Sequence, residues 1–123
     1  MKIRIKGNSV RFRLSKSEVD RFAREGMLHE TTSFGQNVFS YTVQCSEEDI
    51  MTAEMVNAAV TLFVPVKQLM QWATSASQVS ISEKMHIGNN ENLSLLLEKD
   101  FKCVDASPAE DQSDFFENPD KVC

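Results

Sequence analysis

Cysteine is scarce and scattered. Cys45, Cys103 and Cys123 form no C-x-x-C pair and an odd set, which excludes a disulfide framework and a zinc motif and leaves reduced thiols as the expectation. Four isolated glycines cannot build a phosphate-cradling loop. The only histidines, His29 and His86, each lie in a strand-like segment with no second ligand at helical or hairpin spacing, so no histidine metal centre is expected. No nucleophile elbow or Ser-His-Asp order occurs. Long apolar runs are also missing: the longest, Ala58 to Pro65, is interrupted by Thr61 and too short to cross a bilayer. The basic start runs into alternating charge rather than a leader-type apolar stretch. A cytoplasmic protein without membrane, cofactor or catalytic set is the resulting expectation.

What is present begins at once. In MKIRIKGNSVRFRL, strict alternation over residues 2–6 and 9–14 is the period-two signal of strands with one buried face. Gly7-Asn8 between them is a two-residue turn in which glycine supplies the positive φ of a type II′ hairpin. Closing the hairpin there sets Arg4 opposite Arg11 and Lys2 opposite Arg13. Ile3, Ile5, Val10, Phe12 and Leu14 then share one face, and Lys2, Arg4, Lys6, Arg11 and Arg13 the other.

Ser15 and Glu18 have the spacing of a capping box, Val19, Phe22 and Ala23 give a buried stripe, and Gly26 is placed as a left-handed cap; together they predict a helix over 16–25. Strands are expected over 27–33 and 38–44, with Phe39, Tyr41 and Val43 inward. The order then recurs: strands over 51–56 and 59–64, Pro65 in the first turn of a helix over 66–73, strands over 79–87 and 93–101, with a turn at 88–91. This is ββαββ twice, and a shift of fifty residues superposes Val10 on Val60, Phe12 on Leu62, Leu14 on Val64, Val19 on Leu69 and Phe22 on Trp72.

The fold expected is α+β, with about eight mostly antiparallel strands in one curved sheet or open barrel and two short helices packed on it. Residues 1–103 are read as one domain with pseudo-repeats 1–46 and 51–103, and residues 104–123 as an acidic tail anchored at most by Phe115 and Phe116.

Charge is distributed unevenly. Residues 1–26 carry +5, residues 27–99 carry -5 and residues 100–123 carry -5, within a net charge of -5. Like charges directly opposite on neighbouring strands cost roughly 0.2–1 kcal/mol per pair, so an anion is expected over the Arg4/Arg11 and Lys2/Arg13 pairs. The sources are solvent counterions, the chain's own acids (Glu47, Glu48 or the tail, with Phe115-Phe116 as an apolar anchor) or an external partner. An acidic protein surface fits; nucleic acid is disfavoured by the acidity of the rest of the chain. The stripe with Lys2, Arg4, Lys6, Arg11 and Arg13 thus points to a non-enzymatic binding or interaction domain. The alternative is an enzyme or sensor that holds a small phosphorylated ligand with a divalent metal. Glu98, Asp100 and Cys103 are the metal candidates for it, a carboxylate and thiolate set suited only to a weak site. The Glu-x-Glu-x-Lys signature of the triphosphate tunnel enzymes, which turn basic side chains into a barrel, is absent; Ile3-Arg4-Ile5-Lys6 stands in that place.

The stretch MKIRIKGNSVRFRL followed by Ser17-Glu18-Val19, the late Leu97-Glu98-Lys99-Asp100-Phe101-Lys102-Cys103, and Glu110-Asp111 and Asn118-Pro119 beyond it resemble a family of small bacterial proteins of unknown function. The resemblance implies a bacterial cytoplasmic protein of one domain, and no activity, substrate or catalytic residue.

Overall fold

The computed structural model describes residues 1–101 together with Asp114 and Phe116. The sequence-derived elements form with small changes at their ends: β1 (Lys2–Lys6), β2 (Ser9–Leu14), α1 (Lys16–Glu25), β3 (Met27–Ser33), β4 (Val38–Ser46), β5 (Thr52–Val56), β6 (Ala59–Pro65), α2 (Val66–Thr74), β7 (Ser80–Gly88) and β8 (Glu91–Lys99). Local chemistry accounts for the boundaries. Ser15 N–H donates to Glu18 Oε1 at 2.9 Å as one arm of the capping box that starts α1. Gly26 ends α1 at φ 79°, with its N–H on the Phe22 carbonyl at 2.8 Å. Pro65 closes β6 and stands at the N-cap of α2, one residue ahead of the expected first turn.

The element order ββαββ does occur twice. Gly7 and Asn57, fifty positions apart, take φ values of 54° and 56° at the first position of equivalent hairpin turns. The expectation of one mostly antiparallel curved sheet is corrected. The strands form two mixed four-stranded sheets, ordered β1-β2-β8-β7 and β3-β4-β6-β5, and neither closes. Each sheet takes one hairpin from each ββαββ unit, so its two central strands come from different units and run parallel: β2 beside β8, with Arg13 opposite Glu98, and β4 beside β6. Within a unit the helix carries the chain from one sheet to the other.

Alternation decides the core. Val10, Phe12, Leu14, Ile81, Leu95 and Leu97 from the first sheet meet Leu28, Val43, Val60, Leu62 and Val64 from the second in one buried cluster. Phe39 and Tyr41 face inward as expected but are only partly buried. Val19 and Phe22 of α1 and Leu69 and Trp72 of α2 complete the cluster, and the helices pack against each other. Full burial of such side chains contributes about 1.5–3 kcal/mol each. Trp72 also donates its indole N–H to the Val79 carbonyl at 3.0 Å. Among the described residues no helix is long and apolar enough to cross a membrane.

Candidate functional site

With the core side chains of the first sheet turned inward, its outer face is set by register. Three rows cross it: Lys2, Arg13, Glu98 and Ser80; Arg4, Arg11, Leu96 and Ser82; Lys6, Ser9, Ser94 and Lys84. All five cations named from the sequence therefore lie on one solvent-facing surface, joined by Lys84 from a strand seventy residues further along. A shallow groove of about 510 Å³ lies over the β2, β8 and β7 part of this sheet, lined by Ser9, Ser82, Glu83, Lys84, Ser94, Leu95 and Leu96.

The expected counter-anion is the protein's own. Glu98 on β8 reaches both Arg13 and Arg11, the latter at 3.6 Å, and Asp100 receives Lys2 Nζ at 3.0 Å. The carboxylates are sunk, 16% and 11% exposed, and the cations stand over them. Glu98 and Asp100, put forward as metal ligands, thus serve as counterions; the third candidate, Cys103, lies outside the described residues, as do most of the tail and the boundary drawn at 103. No cluster of three or more metal-ligating side chains occurs among the described residues. Arg4, Lys6 and Lys84 have no ion pair among the described residues.

Two described tail residues dock elsewhere. Asp114 Oδ1 and Oδ2 accept the backbone N–H and hydroxyl of Ser17 at 2.9 and 2.6 Å, and the Asp114 carbonyl accepts the Lys16 N–H at 2.9 Å, at the start of α1. Hydrogen bonds from Ser15 and Ser17 hold the Asp114 carboxyl below its ordinary value. Phe116 bridges to Phe101, ring centroids 5.7 Å apart. Its ring also faces Lys99 Nζ at 5.3 Å. Lys99 is 5% exposed, donates to the Ser75 carbonyl at 2.7 Å and lies 5.8 Å from the Trp72 ring; burial lowers its ammonium below the ordinary lysine value. Sequence reasoning missed this lysine because it continues the inward alternation of Leu95 and Leu97, a place where charge is rare.

A second polar cluster ties β1 to the other sheet. The Met1 amine binds Glu18 and, at 3.2 Å, Glu30, while Tyr41 Oη donates to Glu30 at 2.8 Å. Burial would raise the Glu18 carboxyl, but the bonds from the Met1 amine and the Ser15 N–H outweigh it and hold it below its ordinary value. Burial and the Glu30 carboxylate push the Tyr41 phenol up to about 12. His29 pairs with Thr42 Oγ1 at 2.7 Å on the outer face of the second sheet, and His86 is exposed on β7. Burial pushes the Cys45 thiol up, away from thiolate reactivity.

These features define a two-sheet α+β protein with one cationic outer face, partly neutralised from within. The chain belongs to a family of unknown function, DUF7009, whose model matches residues 1–120. No match to it was found among curated proteins or among solved structures.

Proposed function

We propose that this is a non-enzymatic interaction domain that binds an acidic protein partner on the outer face of the β1-β2-β8-β7 sheet, through Lys2, Arg4, Lys6, Arg11 and Arg13 with Lys84. The observation that carries this reading is a contrast between equivalent hairpins. β5-β6 occupies in the second sheet the place of β1-β2 in the first, yet over residues 52–65 it bears a single charge, Glu54. The fold therefore does not require the cations. Five of them on one hairpin set up two like-charge pairs; Glu98 and Asp100 offset the repulsion at Lys2, Arg11 and Arg13, and Arg4 and Lys6 have no such carboxylate among the described residues. A cationic field of this kind speeds association with an acidic surface and orients it.

The alternative of a phosphorylated ligand held through a metal loses support because Glu98 and Asp100 are engaged by Arg11, Arg13 and Lys2. On the resemblance of the opening residues and the scattered cysteines, we place the domain in the bacterial cytoplasm. The test is fluorescence anisotropy with a labelled glutamate-rich peptide at low and physiological salt. Wild type should bind in a salt-dependent manner, and the Arg4→Glu, Lys6→Glu double variant should bind at least tenfold more weakly with its circular dichroism unchanged. Equal binding by the two proteins, or a thermal shift produced by nucleotides with Mg²⁺ and not by the peptide, overturns the reading.

A further inference from the structure

β1 is the edge strand of its sheet, and among the described residues no strand pairs with its outer edge. In a two-residue hairpin the residues flanking the turn form a hydrogen-bonded pair, here Lys6 and Ser9, and such pairs alternate along an antiparallel ladder. Lys2, Arg4 and Lys6 thus spend their backbone groups on β2, and Ile3 and Ile5 turn theirs away from it. Among the described residues Ile3 and Ile5 make no hydrogen bond outside the β1-β2 ladder. On the equivalent edge of the second sheet one backbone donor is occupied: Ala53 of β5 gives its N–H to Met85 Sδ of β7 at 3.4 Å.

The side chains beside the β1 edge are just as specific. Ile5 lies on the core side of β1 but is 58% exposed. It lines an apolar hollow of about 390 Å³ with Val10, Met55, Val60, Met85 and Leu93. On the other side of the same strand stand Lys2, Arg4 and Lys6.

We infer that the β1 edge accepts an extended acidic segment of a partner protein as a fifth, antiparallel strand, in which acidic residues alternate with apolar ones. The acidic side chains meet Lys2, Arg4 and Lys6 on the outer face. The apolar ones fall beside Ile3 and Ile5 over the hollow, and their backbone groups pair with those of Ile3 and Ile5. Charge supplies selectivity as well as attraction. A second copy of β1 would set cation against cation, the usual protection of an edge strand, whereas an acidic strand turns the same charges into partners. This inference rests on the proposed acidic-partner function and specifies its mode.

Four labelled nine-residue peptides test it. The first alternates Glu and Val, the second has the same composition with its glutamates grouped, and the third is the alternating peptide N-methylated at every Val, which removes the N–H groups aimed at β1. The first should bind at least tenfold more tightly than the second and third and slow amide exchange at Ile3 and Ile5; the fourth, the alternating peptide methylated at every Glu, should bind like the first. If all four bind equally and the Ile3 and Ile5 amides are unprotected, strand addition is overturned while the acidic-face reading survives. If none binds wild type, both fall.

Discussion

Arg13 of β2 and Glu98 of β8 lie directly opposite each other across a parallel ladder and form an ion pair, although 85 residues separate them in the chain. Glu98 also reaches Arg11, so one half-sunk carboxylate offsets the repulsion built into the first hairpin. Glu98→Gln should therefore destabilise the protein by about 1 kcal/mol, at the upper end for partly exposed pairs. The same change should tighten binding of an acidic peptide. Urea denaturation reads the first effect and anisotropy the second.

The buried Lys99 should respond oppositely to its loss. Its side chain has no carboxylate partner among the described residues, and burial lowers its pKa below the ordinary lysine value. A base whose pKa is lower folded than unfolded binds fewer protons in the native state, so its penalty is full at low pH and fades as pH rises from the folded value toward the unfolded value, near 10.5. Lys99→Met should raise the melting temperature at pH 7, and the gap from wild type should narrow toward pH 10. Thermal melts at both pH values check this.

Asp114 works as a remote cap for α1. Asp114→Ala should cost about 1 kcal/mol, the usual worth of a helix N-terminal cap. Because its folded pKa is depressed, that contribution is present above the ordinary carboxylate value and is lost as pH falls through the folded one. The difference in urea midpoint between wild type and variant should accordingly be present at pH 7 and shrink as the pH is taken down toward 2.

Gly26→Ala should destabilise by about 1 kcal/mol through backbone strain alone. An added Cβ would meet Cys45 Cβ at an ordinary 3.7 Å, but the residue stands at φ 79°. Gly26→Asn, which tolerates the left-handed region better, should lose less. Denaturant titration of the two variants separates strain from crowding.

How far the chain could be read shows in particular residues. Every element of the fold was legible, because each is set by neighbours a few positions apart. The Ser15/Glu18 cap, Gly26, the Gly7-Asn8 turn and the Asn89-Asn90 turn, with φ values of 50° and 59°, all act locally. The five cations were placed on one face for the same reason. Lys84, the role of Glu98 and the burial of Lys99 were not legible, since each depends on which hairpin lies beside which.

The sequence by itself determined the hairpins, the helices, the inward and outward faces and the charge of the first hairpin. Only the tertiary structure decided that β2 pairs with β8 and β4 with β6, parallel and between units. The physical reason is that alternation with period two specifies a strand's faces and leaves its neighbour open: any strand with one apolar face satisfies β2 equally well until the whole core is packed. That last choice brings Glu98 to Arg13, making an apparent metal ligand a counterion and leaving β1 as the edge strand of its sheet.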